Sequence, residues 1–253
     1  NNILKYSIAL LLLLVIFLAY FSTIGIETDK FNKQIKNKIL QINKNLDIDL
    51  KKIKLTLDPL DFKIYAKTVG TKVYFLKRTL ELESIKTQVS LSSLIKNNIS
   101  SSNIEVTTRS ILLNDLIKFI KITNNKPELF ILEQIVKKGR IILDLSLNID
   151  ENGKIKNDYV IEGLIKDADI NFLNKAKFEN INFNFNIKKN NYLLNEINFK
   201  AEEVNFISKK LNIKKKKNSF LIDAIVKNDQ SNLNLNILKL FNLSFENIII
   251  DDV

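Results

Sequence analysis

The sequence predicts a mainly β protein behind one N-terminal apolar helix. Three observations carry that reading. The N-terminus holds a long uncharged run, most of the remainder alternates apolar and polar residues, and Gly and Pro number only 5 and 2 in 253 residues. Alternation at a period of two marks half-buried strands. Scarce Gly and Pro exclude collagen-like and glycine-loop architectures.

The uncharged run is Tyr6 to Ile26, 21 residues. At about 1.5 Å rise per residue it makes roughly 31 Å of helix, the thickness of a bilayer's hydrocarbon core. It is apolar all round, where a soluble helix would show one stripe, and Leu10, Leu14, Phe17, Leu18 and Phe21 are candidate anchor residues within it. A cleavable signal peptide is the rival reading. The core exceeds the usual apolar region of such a peptide, and no small-residue cleavage site follows at Leu18-Ala19-Tyr20-Phe21-Ser22-Thr23. The expectation is an uncleaved anchor over residues 1–27.

An amphipathic cap helix is expected over 28–46. Thr28 is a candidate N-cap, and Phe31, Ile35, Ile39, Ile42 and Leu46 recur at helical spacing among lysines. Such a helix either lies on anionic headgroups or covers the end of the following sheet, and the second is favoured because an open edge needs a cover.

From Asp47 the period becomes two. Short strands follow around Ile48/Leu50, Ile53/Leu55/Leu57, Phe62/Ile64, Val73/Phe75, Leu80/Leu82, Val89/Leu91 and Ile104/Val106, broken at Asp58-Pro59 and Gly70. A helical insertion is expected at about 114–138, with Asn114 as a cap, Pro127 opening a second helix, Phe130, Ile131, Gln134 and Ile135 as its face, and Gly139 ending it. Beyond it Leu143, Leu145 and Leu147 share a face. The clearest strand is Ile181, Phe183, Phe185 and Ile187 with Asn between them. Ile197/Phe199, Val204/Phe206, Leu211/Ile213, Phe220/Ile222, Leu233/Leu235/Ile237 and Leu243/Phe245 continue it, and Asn152-Gly153 marks a hairpin turn. Residues 47–253 thus read as one repetitive β domain. The end at Ile250-Asp251-Asp252-Val253 suggests a fragment of something longer.

Composition bounds the chemistry. With no Cys and no His, thiol nucleophiles, structural zinc and imidazole acid–base chemistry are excluded. The net charge is +11, yet only Arg78, Arg109 and Arg140 are arginines, so 36 of 39 basic residues are Lys, beside 34 Asn and 39 Ile. That is the signature of an A+T-rich genome. Nucleic-acid readout favours the Arg fork, so no nucleic-acid partner is expected. Glu81 and Glu83 read as outward neighbours on a strand, and Asp167-Ala168-Asp169 as a turn entering a strand rather than a cation site. Lys214 to Lys217 reads as a hairpin tip. No phosphate loop, nucleophile elbow or metalloprotease motif is present. No enzyme, cofactor or metal is expected, and function moves from a site to a surface.

The order of parts resembles the N-terminal region of AsmA-like proteins. A membrane helix and an amphipathic helix lead into Leu46-x-Ile48-x-Leu50-x-x-Ile53-x-Leu55. Leu91-Ser92-Ser93-Leu94 with Ile104-Glu105-Val106 follows, and later Gly163-Leu164-Ile165 and Asn182-Phe183-Asn184-Phe185. The resemblance rests on hydrophobic patterns and covers most of the chain. It implies an elongated, twisted, mostly antiparallel sheet curling into an open apolar groove, as in bridge-like lipid transfer proteins. It also implies a single-pass protein of the bacterial inner membrane with its domain in the periplasm. The phospholipid partner would lie along Leu143, Leu145, Leu147, Ile181, Phe183, Phe185, Ile187, Ile197, Phe199, Phe220 and Ile222. An outer-membrane or periplasmic protein partner would act through a C-terminal part outside this sequence. The positive-inside rule pulls the other way, since Lys30, Lys33, Lys36, Lys38 and Lys44 follow the anchor and only Lys5 precedes it. A closed β-sandwich serving as a scaffold is the alternative.

Overall fold

The computed structural model describes residues 2–76, 78–90, 103–123, 126–150, 156–172, 176–201, 204–216 and 219–228. The expected strands at Leu233/Leu235/Ile237 and Leu243/Phe245, Leu91 to Leu94 and the Asn152-Gly153 turn lie outside them. The fold is mainly β, an open antiparallel sheet with four helices among the described residues.

Helix α1 spans Asn2–Thr23 and is long and apolar enough to cross a membrane. Leu10, Leu14 and Phe17 are exposed, while Leu18 and Phe21 are half-buried, with the Phe17 and Phe21 rings 4.4 Å apart. The apolar run continues to Ile26, but the helix does not. Gly25 takes φ +72, a left-handed conformation that glycine adopts freely, and Ile26–Thr28 becomes strand β1.

Helix α2 therefore begins later than expected and spans Asn32–Ile42. Thr28 is not its N-cap: its hydroxyl accepts the Lys30 N–H at 3.2 Å, and Phe31 precedes the helix without a side-chain cap. α2 packs beside β2 (Leu46–Asp49), with Ile35, Ile39 and Leu40 half-buried. The Asn32 amide donates to the Leu50 and Lys51 carbonyls, both at 2.9 Å. Lys36 pairs with Asp47 at 2.9 Å. The helix covers strand rather than standing free.

The strands that follow are β3 (Ile53–Asp58), β4 (Lys63–Val69), β5 (Lys72–Phe75), β6 (Arg78–Ser90), β7 (Asn103–Thr108) and β8 (Ile111–Leu112). Next come helices α3 (Leu113–Thr123) and α4 (Pro127–Ile135). The chain continues as β9 (Val136–Asn148), β10 (Val160–Phe172), β11 (Ala176–Lys188), β12 (Asn191–Ala201), β13 (Val204–Lys215), β14 (Phe220–Ala224) and β15 (Lys227–Asn228). Their hydrogen-bonded order is β1-β3-β4-β6-β7-β9-β10-β11-β12-β13-β14. From β9 to β14 strands next to each other in sequence are also neighbours in the sheet, as sequential antiparallel pairing favours.

Two compact units result: Asn1–Thr108 with Leu145–Tyr159, and Arg109–Asp144 with Val160–Val253. In the first, β1, β3, β4, β6 and β7 form one run, and β2 pairs β5, which pairs β6. Thr71 and Thr108 are its most buried side chains. In the second, Ile117, Ile135 and Val136 form a buried cluster with Leu113 and Ile170 against it, so the helix pair covers one end of β10.

Details of the helical insertion differ from the sequence reading. Pro127 does open α4, as its fixed φ and missing N–H allow. Asn114 lies inside α3 and donates across to the Lys137 carbonyl at 3.3 Å. Phe130 and Ile131 are exposed, and Ile135 is the buried residue of α4. Gly139 does not end that helix. It sits within β9 at φ +136, where a Cβ would stand 2.9 Å from the Ala168 Cα.

Candidate functional site

The second unit carries a continuous apolar face whose construction follows from register. From β10 to β13, Ile161, Gly163 and Ile165 stand opposite Ile187, Phe185 and Phe183. Ile187 and Phe185 stand opposite Tyr192 and Leu194, and these face Ile213 and Leu211. Ile213 and Leu211 in turn face Ile222 and Ala224 of β14, with Phe220 opposite Lys215. Residues directly opposite across an antiparallel pair share a face, so five strands contribute to one apolar band.

Strict alternation alone does not hold this band together. Asp167, Asn180 and Glu196 take φ of 50, 52 and 53, and each marks a bulge in β10, β11 and β12 respectively. An extra residue reverses which parity faces the core. Because the three neighbouring strands all reverse along one line, the apolar side stays on one side. Past that line the face continues through Ala168 and Ile170, Phe178 and Ile181, Ile197, Phe199 and Ala201, and Val204 and Phe206. Asp167 and Asp169, the sequence's weak cation candidates, serve this line. The Asp167 N–H donates to the Asn182 side chain at 3.0 Å. Asp169 accepts the Asn180 N–H at 3.0 Å and pairs with Lys138 at 3.1 Å. They lie within a strand rather than in a turn entering one.

The bulge line divides the face into a packed band and an open band. In the packed band Phe178, Phe199 and Phe206 form an aromatic ladder, with centroids 5.9 and 5.2 Å apart, over buried Ala201 and Val204. Ile181 and Ile197 are buried there too. In the open band Phe183 and Ile187 are half-buried, and Phe220 and Ile222 are 60% and 51% exposed. Phe185 is the exception at 8%. Its ring lies over Gly163, where a Cβ would be 2.6 Å from it and 2.3 Å from the Ile142 carbonyl oxygen. Phe183 meets it at 6.2 Å. Leu143 is half-buried on β9 in this unit. Leu145 and Leu147, also half-buried, fall in the first unit.

The reverse face is wet. Asn182 donates to Asn198 at 3.0 Å, Asn184 to Glu196 at 2.6 Å, and Asn186 to Glu162, a ladder of amides and carboxylates across the strands. Beside it Lys177 is held above the usual lysine range by its hydrogen bond to Glu179. Among the described residues every strand of this unit belongs to one sheet. Also among them, no group of three or more His, Cys, Asp or Glu could hold a metal ion. Glu81 and Glu83 are exposed, and Glu81 pairs with Lys72 at 3.1 Å. Lys214 and Lys215 close β13, and the Lys216 N–H donates to the Ser219 carbonyl at 2.8 Å in the tip that leads to β14.

Comparison of the chain with family models, with curated proteins and with solved structures returned no match. The arrangement itself is chemically plain. It offers apolar area backed by water-facing amides.

Proposed function

We propose that the protein holds phospholipid acyl chains on the open band, as a membrane-tethered lipid-transfer protein of the AsmA-like kind. In this reading α1 sits in a bacterial inner membrane and the sheet works in the periplasm, passing lipid toward the outer membrane. The observation that supports it is the shared register of Ile161, Phe183, Ile187, Leu194, Ile213 and Ile222, with Phe220 and Ile222 exposed at its β14 end. An acyl chain moved out of water gains about 0.8 kcal/mol per methylene, so such a band needs no catalyst.

The test is a photo-crosslinking residue at Phe183 in cells, with and without Phe220→Asp and Ile222→Asp. These two are chosen because they are exposed, so a charge there leaves folding intact while interrupting the apolar path. Crosslinked phospholipid that is lost in the double variant is the expected result. Crosslinks to protein alone would favour the scaffold reading, and lipid crosslinks unchanged by the two aspartates would overturn this one. For orientation, the chain has no Cys. A single cysteine replacing exposed Lys189 should react with an impermeant thiol reagent once the outer membrane alone is permeabilised.

A further inference from the structure

We propose that the hairpin joining β3 to β4 is a second membrane contact, dipping into the bilayer interface beside the end of α1. The inference rests on α1 spanning a membrane and is independent of the lipid-transfer reading.

Geometry brings the hairpin back along the helix. β1 pairs antiparallel with β3, Ile26 opposite Leu55 and Thr28 opposite Ile53, so β3 runs toward the membrane end of β1 and past it. From Leu55 to Leu57 it advances about 7 Å at roughly 3.3 Å per residue. Ser22 lies in the last turn of α1, four residues before Ile26. Ser22 in fact shares a cleft of about 330 Å³ with Thr56, Leu57, Asp58, Pro59, Leu60 and Tyr65. Gly25 is pressed against the same strand, where a Cβ would stand 2.3 Å from the Leu55 carbonyl oxygen. Among the described residues of α1 only Leu18 and Phe21, in its last two turns, are half-buried, and α1 contacts β3. The tip is therefore level with the last turn of the apolar run.

Its chemistry fits an interface. Leu60 is 90% exposed and Phe62 68%, large apolar side chains at the tip of a soluble-looking turn. Phe62 is held at φ 51, a strained conformation for a non-glycine residue. The Asp58 carboxylate fixes the turn by accepting the N–H of Leu60 at 3.1 Å and of Asp61 at 3.2 Å, so the projection of Leu60 is set before any contact. The acidic Asp61 opposes membrane entry, but Lys63 neutralises it at 2.9 Å. That pairing raises the Lys63 pKa. Tyr65, with one apolar and one polar end, and Tyr20 on α1 match the aromatic belt at bilayer boundaries. The partner is the interfacial layer of the bilayer that holds α1, and covalent continuity with that span is what selects it over a protein.

Single nitroxide labels on Leu60→Cys, Leu14→Cys and Lys189→Cys, each in the full chain in phospholipid nanodiscs, test this by collision with oxygen and with a water-soluble nickel chelate. The expected result is a Leu60 label shielded severalfold from nickel relative to Lys189 and shallower in oxygen contact than Leu14, with the shielding lost in Phe62→Asp. A Leu60 label as nickel-accessible as Lys189, while Leu14 reads deep, overturns the hairpin contact and leaves the span intact. If Leu14 is itself nickel-accessible, the span fails and this inference with it.

Discussion

Adding one methyl group at Gly163 tests the close approach beneath Phe185. Gly163 has an ordinary negative or extended φ, since only Gly25, Gly70 and Gly139 among the described glycines are positive, so alanine is conformationally allowed there. Reducing unfolded-state freedom would by itself stabilise by about 0.4–1 kcal/mol. Against that, the new Cβ meets the Ile142 carbonyl oxygen at 2.3 Å and two Phe185 ring atoms at 2.6 and 3.0 Å. Overpacking of that kind costs about 1–3 kcal/mol, leaving a net loss between about zero and 2.6 kcal/mol. Phe185→Leu removes the ring but not the carbonyl. Gly163→Ala should then cost less in the Phe185→Leu background, with a coupling of at least about 0.5 kcal/mol. The chain has no Trp, so urea unfolding of the full chain in detergent micelles is followed by far-UV circular dichroism. A stabilising Gly163→Ala, or strictly additive effects, would refute the stacking of Phe185 over bare backbone.

Two further outcomes follow from the first unit. Gly25→Ala places a Cβ 2.3 Å from the Leu55 carbonyl oxygen at φ +72, which costs about 1–2 kcal/mol for the backbone alone; amide exchange across the β1–β3 ladder should quicken, and unchanged protection there counts against the corner. The hydrogen bond from Lys36 holds the Asp47 carboxyl below its usual pKa, so its stabilisation is present above the unfolded value and fades as pH falls through the carboxylate range. Both side chains are part-exposed, so Lys36→Met should lower stability by under about 1 kcal/mol at neutral pH and by nothing once Asp47 is protonated; an equal loss in acid would assign the effect to packing of the lysine stem.

The element types were legible because they rest on long periodic runs. The uncharged Tyr6–Ile26 run, Pro127 as a helix start, and the alternation of Ile181, Phe183, Phe185 and Ile187 all speak through repetition, which local accidents do not erase. Single-residue events were not legible. Asp167, Asn180 and Glu196 adopt left-handed conformations that Asp and Asn tolerate but do not announce, and Glu196 gives no signal. So the sequence alone merges the packed and open bands into one floor, placing Ile181, Ile197 and Phe199 beside Phe220 and Ile222. Gly139 misled in the opposite sense. A glycine after a lysine pair reads as a helix terminator, whereas here the absence of a side chain admits Ala168 from the next strand. At the β3–β4 tip Phe62 read as a strand residue with Ile64 and Leu60 carried no signal beside the Asp58-Pro59 break, because what singles out Leu60 is the cleft it shares with Ser22, 38 positions away.

Only Ile24 and Gly25 lie between the end of α1 and the start of β1, and Gly25 is wedged against the Leu55 carbonyl. A long flexible linker would let an anchored domain wander. This junction makes the helix and the first strands of the sheet a single lever instead. Helices answer a mismatch between their length and the bilayer by tilting. With α1 placed in a bilayer as proposed, any such tilt would be handed to β1 without slack, and membrane thickness would set the pitch of the attached strands.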